Sequence, residues 1–520
     1  MAKDIHAQSI PLPKFPMSAF NLGYDHKLCA SFGRMNCHYV EECIPGDIAH
    51  VKTDLFVRLD PLTFPIMHKI KVRQNFFFVP DRLVLGDDLN EEFFSCKDLG
   101  AKLPRLKIPQ TDQAYPYSLG KNSLFDQMGC QPALGANQYA LVRNPLPFYM
   151  YQLIYKEFYA DEILCAQDIS DIDYIINQYR NIGLNNELQI TPTQSRSPFA
   201  IRQVSYSKDR FTSAQPDAQR VGEVFVMNPL QLERIDGGSI PYNAELGTDQ
   251  NGIVYVGSYG QGIQNRVRAS LTIDELWDEM VVQRFLNSMN EFGNERYIEI
   301  LAGQYGVLSA DARLQRPQWL GGNEMVVNVS EVLQTSESTA GNPLGSFAGK
   351  GIVAGQGRDI AFRVPEHGFI IGILTFVPEN GYASGSPRWL YKSSPLDFAF
   401  PRFNNLGEQA VYNGELYSDH DVDASTNDLS EFGYQPQFDE YRSHPSIVTG
   451  DFRESQLLAW HMARKFTSVP ALNQSFINVD TSASNRIFNN TTPVNPLRVD
   501  AWHKAMYVRP ISRHPIPGKL

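Results

Sequence analysis

Apolar side chains recur at every second position in several short stretches of the chain. In residues 54–59, Leu55, Val57 and Leu59 alternate with Phe56 and Arg58; in 69–73, Ile70 and Val72 face one way and the bases the other. A period of two is that of a half-buried strand. Residues 325–332 and 360–364 alternate in the same way, and a last strand is predicted over about 502–508. Residues 76–79, stopped by Pro80, and 369–377 are apolar throughout and read as strands buried on both faces. The helical period is rarer. Tyr151, Ile154, Tyr155, Phe158 and Tyr159 predict a helix over 148–164, with Pro147 suited to its start. Thr272 as N-cap and Glu275 three residues later open a second helical stretch over 272–305, interrupted at Gly293. A third short helix is predicted over 455–466.

Between these elements the pattern breaks. Pro11, Pro13 and Pro16 leave no helical period, so residues 1–45 read as an extended N-terminal arm. Residues 84–145 are loop-like, 212–268 are polar and Gly-rich with short strand-like pieces, and 341–357 read as a flexible Gly-rich loop. Strand candidates span the whole chain with helices inserted among them. That predicts a mainly β fold, a sandwich or jelly roll carrying long insertions, and not a regular βαβ sheet. A single domain over 46–520 follows the arm, with insertions at about 84–145, 212–268 and the helical 272–305.

Composition sharpens this picture. Thirty-seven Gly and 33 Pro in 520 residues argue against a helix bundle or coiled coil. Mean hydropathy is -0.30, and the longest apolar run, 369–377, is far short of the ~20 residues a spanning helix needs; no membrane insertion is expected. The first residues hold no apolar core of a signal peptide. Cysteines 29, 37, 43, 96, 130 and 165 are too sparse for a disulfide scaffold and read as reduced thiols. The formal net charge of -11 means that a polyanion needs a local basic patch. One such patch is the C-terminal segment 498–520, where Arg498, Lys504, Arg509, Arg513 and Lys519 face one acid, Asp500.

The search for reactive constellations is mostly negative. Gly345-Ser-Phe-Ala-Gly349-Lys350 is one residue short of a phosphate loop, and Gly351 stands where a hydroxyl would hold Mg²⁺. Nucleophile-elbow, His-Glu-x-x-His and Cys-x-x-Cys patterns do not occur. Asp419, Asp421 and Asp423 are spaced like the start of a calcium loop, but Ala424 and Ser430 replace its Gly and Glu; a solvated acidic loop is the expectation and a weak Ca²⁺ contact the alternative. His367 and His444 sit at turns without a nucleophile, and the adjacent acids Glu41-Glu42 and Asp87-Asp88 point opposite ways on a strand. No catalytic residue, cofactor or metal is assigned.

Longer motifs run in order along nearly the whole chain. They include Cys43-Ile-Pro-Gly-Asp47, Pro65-Ile-Met-His-Lys69, Asn75-Phe-Phe-Phe-Val-Pro80 and Leu146-Pro-Phe-Tyr-Met-Tyr-Gln-Leu-Ile-Tyr155. Lys208-Asp-Arg-Phe-Thr-Ser-Ala214, Glu295-Arg-Tyr-Ile-Glu-Ile-Leu301 and Ser309-Ala-Asp-Ala-Arg-Leu-Gln-Arg-Pro317 follow. Then come Ser330-Glu-Val-Leu-Gln334, Glu366-His-Gly-Phe-Ile370, Gly407-Glu-Gln409, Phe432-Gly-Tyr-Gln-Pro436, Glu440-Tyr441 and Leu472-Asn473. On these the chain resembles the major capsid proteins of the Microviridae, small icosahedral single-stranded DNA phages, closest to the gokushovirus-like branch. The expected Trp beside Pro216 is missing, and 84–145 and 215–268 match poorly.

The resemblance implies an eight-stranded antiparallel jelly roll and sixty self-assembling copies in a T=1 shell. The shell would enclose circular single-stranded DNA in a virion assembled in the cytoplasm of a bacterial host. It implies no enzymatic activity, a small basic DNA-binding virion protein as partner, and a host cell-surface receptor met by surface loops. Arg498, Lys504, Arg509, Arg513 and Lys519 then become candidates for phosphate contact and Trp502 for base stacking. The insertion that the resemblance puts near a threefold axis best matches 221–268, so Tyr242, Tyr255 and Tyr259 become candidates for host attachment. The alternative from the residues alone is a soluble β-sandwich that binds or hydrolyses carbohydrate.

Overall fold

The structure is a computed structural model. It describes residues 16–94, 100–109, 120–132, 139–189, 196–217, 310–333, 347–401, 407–418, 428–489 and 495–514, with four three-residue strands between 232 and 269. Eleven strands build two antiparallel sheets: β1 (Ser18–Asn21), β2 (Tyr24–Ala30), β3 (Asn36–Cys43), β4 (Ile48–Leu59), β5 (Ile70–Pro80), β6 (Gln318–Val326), β7 (Asn328–Leu333), β8 (Phe347–Gly355), β9 (Ile360–Arg363), β10 (Gly368–Pro378) and β11 (Leu497–Arg509). The first sheet runs β1-β11-β4-β8-β7, with β2 also on β11 and β9 also on β4; the second runs β6-β5-β10-β3.

The alternating patterns become these strands for the predicted reason. Along β4 and β11 every second side chain is buried. Val51, Ala505 and Tyr507 of the first sheet pack with Tyr39, Phe76, Phe78 and Ile370 of the second in one core cluster. The runs at 69–73 and 76–79 join into one strand, β5, whose other face is covered by the inserted helices: Phe77 meets Phe158 at 4.8 Å, and Asn75 donates to the Tyr159 hydroxyl at 3.1 Å. The run 369–377 is β10, buried along its whole length.

Several expectations are corrected. Residues 18–43, read as part of a separate arm, are extended but supply β1 and β2 to the first sheet and β3 to the second; residues 1–15 lie outside the described residues. The stretch 325–332 is two strands in different sheets, parted at buried Val327, whose N–H donates to the Ile70 carbonyl. The Gly-rich 347–355 is a strand, not a loop. The helix expected over 148–164 is α1 (Leu146–Ile154), which widens into a π-turn (Tyr155–Tyr159) and stops; α2 (Ala166–Ile182) begins afterwards. The helix expected over 455–466 is replaced by 3₁₀ turns, Gly450–Arg453 and Leu458–Trp460. There the Arg486 guanidinium donates to the carbonyls of Leu458, His461 and Ala463, at 2.9, 2.9 and 2.7 Å, taking acceptors a helical ladder would use. Among the described residues the loop-like 84–145 holds two helices, Asp87–Phe94 and Leu124–Gln127, and two strands, Arg105–Pro109 and Tyr139–Val142. The helical stretch 272–305 lies outside the described residues.

Candidate nucleic-acid interface

The basic segment predicted at the C-terminus begins as the centre of a sheet. Because β11 alternates, Leu497, Val499, Ala501, His503, Ala505 and Tyr507 point into the core, and Arg498, Asp500, Trp502, Lys504 and Met506 point out. Arg498, Trp502 and Lys504 therefore share one open face. Trp502 is 45% exposed and stands opposite Asp54 on one side and Asp25 on the other. The Lys504 ammonium lies 2.6 Å from Asp54, and the Arg498 guanidinium 3.3 Å from Asp60. The two cations are exposed, whereas Asp54 is buried and Asp60 half-buried.

Register adds bases that sequence reasoning passed over. Lys52 is the direct cross-strand partner of Lys504, and Arg58 that of Arg498. Lys27 of β2, Lys350 of β8 and Arg363 of β9 lie on the same outward face, against the carboxylates Asp25, Asp54 and Asp500. The Arg58 guanidinium sits 5.8 Å from the Phe56 ring, which also faces outward. Like charges directly opposite one another destabilise a sheet; the two couples lie six residues apart along β4 and β11, with Asp54 and Asp500 on the same face between them. The signal was in the sequence: Lys52 and Arg58 fall on the polar phase of the strand pattern, but their partners became visible only with the register.

The remaining candidates separate. Arg509 turns away from this face: its guanidinium lies 3.1 Å from Glu41 and 3.1 Å from Asp47 and donates to the Glu42 carbonyl at 2.7 Å. It anchors the Cys43–Asp47 turn, where Gly46 adopts φ 93° and the Asp47 carboxylate accepts from the Ile44 N–H. Arg513 is exposed; Lys519 lies outside the described residues. Tyr255 sits on the short strand Val254–Val256, whereas Tyr242 and Tyr259, like Asp419, Asp421 and Asp423, lie outside the described residues. Among the described residues no cluster of His, Cys, Asp or Glu is arranged to hold a metal, and no helix is long and apolar enough to cross a membrane. The described cysteines, 29, 37, 43, 130 and 165, are free thiols; Cys96 lies outside. His367 stacks on Phe94 at 4.3 Å, a packing role.

Motif residues far apart in sequence converge elsewhere. Buried Arg210 pairs with Glu415 at 3.0 Å and Asp439 at 3.2 Å. Gln435 donates to the Arg210 carbonyl at 2.6 Å, and Gln409 to Glu440 at 2.6 Å. The segments 208–214, 407–409, 432–436 and 440–441 are thus one buried polar network, where removing a partner leaves a charge uncompensated.

A family model described as "Capsid protein (F protein)" matches residues 9–518. The chain belongs to this capsid-protein family. The capsid protein VP1 of Bdellovibrio phage phiMH2K is 29% identical over 543 aligned residues, covering 98% of this chain and 96% of the relative. The corresponding proteins of Chlamydia phage 1 and Spiroplasma virus 4 are 26% and 25% identical, covering 98% and 99% of the chain and 96% and 95% of each relative. All three belong to the Microviridae. The chain is a structural major capsid protein of this group, and capsid identity implies self-assembly and a place in the virion. The Arg210 network is accordingly scaffold.

Proposed function

We propose that sixty copies of this chain form a T=1 shell around circular single-stranded DNA, assembled in the cytoplasm of a bacterial host, without enzymatic activity. The framework is an eight-stranded jelly roll. Two four-stranded orders, β2-β11-β4-β8 and β3-β10-β5-β6, support that reading, because they interleave in chain order as a double Greek key does. The long segments after β5 and after β10 are its insertions. A small basic virion protein shares the neutralisation of DNA, and surface loops meet the host receptor.

The outward face of β11, β4 and β8 lies toward the genome in this reading. The observation that carries it is the pair of like-charged cross-strand couples, Lys52–Lys504 and Arg58–Arg498, beside exposed Trp502. A phosphate at each couple would relieve the repulsion within it, without reading base sequence, and Trp502 would offer a ring for an unpaired base. Reversing the charges of Arg58 and Lys350 tests it. Packaged DNA, read as the nucleic-acid to protein absorbance ratio of purified particles, is expected to fall severalfold while shell yield stays near normal. Equal loss of DNA and shells would assign the face to subunit contact instead.

A further inference from the structure

The insertion after β10 carries an exposed apolar cluster that the genome-facing reading does not use. Trp389 is 70% exposed, Leu390 51%, Leu396 60%, Phe398 51% and Tyr441 58%. Four of the five fall within ten residues, 389–398, and the Lys392 ammonium of the same segment lies 4.3 Å from the centre of the Tyr441 ring and 5.7 Å from that of Phe398.

The backbone beneath these side chains is firmly held. Two 3₁₀ turns, Arg388–Tyr391 and Pro395–Asp397, carry the segment. The Asp397 carboxylate accepts from the N–H groups of Ser393 and Ser394, at 2.9 and 2.7 Å. Arg388 pairs with buried Glu415 at 3.1 Å, and Lys392 with Glu440 at 2.6 Å. Both cations are nearly enclosed, so charge pins the segment inward while its apolar side chains face water. A hydrophobic collapse of a loose loop would give the opposite arrangement.

Resting on the capsid reading, we infer that this cluster is a subunit contact whose occupant is a second copy of this chain, with Trp389, its most exposed side chain, as an anchor. Area decides for a macromolecular partner: five half-exposed large side chains present roughly 600 Å² of mainly apolar surface, most of the ~800 Å² that each partner buries in a standard interface. It stands at the top of the range of the largest patches that monomers expose, about 300–600 Å², which are often functional. Exposed Trp and Tyr on a pre-organised backbone are the residue types that dominate interface energies. A second copy is the occupant because the family membership makes self-association the one partnership the chain must have.

The test is site-specific photo-crosslinking in virions, with a Trp389→benzoylphenylalanine variant. The expected product migrates near twice 58.7 kDa, and its cross-linked peptide maps to this same chain. A cross-link to a different virion protein, to the chain's own subunit, or none at all overturns the inference. Alongside it, Trp389→Ala with Leu396→Asp is expected to lower particle yield at least tenfold while the free chain keeps its thermal midpoint. Tyr174→Ala, a control at a residue 52% exposed on α2, is expected to assemble normally. Normal particle yield from the double variant also overturns it. Failure of the capsid reading looks different, since wild-type chain would then sediment as a 58.7 kDa monomer.

Discussion

His38 and His503 stack between the two sheets, ring centres 5.4 Å apart and nearly parallel. A register shift of β3 against β10 between Gly372 and Ile373 turns both His38 and Tyr39 inward. A Cβ on Gly372 would stand 2.8 Å from His38 Nε2, so glycine is what makes room for the ring. His503 Nδ1 and the Thr53 hydroxyl are 2.8 Å apart, and His26 donates from Nδ1 to the His38 carbonyl at 2.8 Å. Tyr24 and Tyr39 also lie against the His503 ring, at 4.7 and 5.0 Å. Burial first, then His503 and His26, holds His38 well below the ordinary imidazole range. Burial, then His26, brings His503 down to about 4. Protons therefore favour the unfolded chain: this stability is intact above the unfolded value near 6.5 and is lost as pH falls from there to about 4. For His503 alone the loss is about 3 kcal/mol. Urea unfolding at pH 7.5 and 4.5 should show it, and His503→Asn should lessen the difference. The same difference in both proteins would move the acid sensitivity to the carboxylates.

At the scale of elements, β8 shows why a glycine run can be a strand. Gly349 exchanges backbone hydrogen bonds with Leu62, and a Cβ there would meet the Phe64 carbonyl oxygen at 2.6 Å and the Pro65 Cα at 2.9 Å. Gly351 is as tightly placed against the Leu59 side chain, at 2.9 Å. Backbone cannot give way as a side-chain tip can, so Gly349→Val should cost about 2–3 kcal/mol, seen as a lower denaturant midpoint; an unchanged midpoint would refute the close approach. Such constraints also mark what the sequence can convey. The central strands were legible because alternation is a local property: β4, β9, β10 and β11 stand where their patterns put them. The glycines of β8 carry no alternating pattern, since their reason is another segment's backbone. The 455–466 helix failed because Arg486, some twenty residues on, takes its carbonyls. Likewise Arg498, Trp502 and Lys504 were legible as a basic stretch, but Arg509 could be told from them only by strand phase and by Glu41 and Asp47, more than 460 residues away.

On the scale of the whole molecule, the segment 221–268 is where exposed recognition is expected, and its pairing says how to remove it cleanly. Leu232–Arg234 pairs antiparallel with Val267–Ala269, and within that span Leu246–Thr248 pairs antiparallel with Val254–Val256. The two pairs are nested in sequence, Leu246–Thr248 with Val254–Val256 inside Leu232–Arg234 with Val267–Ala269. Excising the inner pair leaves the outer pair's residues in place, and the entropy of closing a short replacement loop grows slowly with its length. Replacing residues 242–262 with a short Gly-Ser linker removes Tyr242, Tyr255 and Tyr259 together, along with any rigid amphipathic contact they make to a cell-surface glycan or protein. If the segment serves attachment, the altered chain assembles into particles of normal sedimentation and DNA content that no longer adsorb to the host. Adsorption is read as the loss of particles from the supernatant of a host culture. Failure to assemble would instead make the inner pair a cover between subunits, and would move the receptor surface to 84–145, the other poorly matching stretch. Normal adsorption by intact particles would remove the three tyrosines from the attachment site altogether.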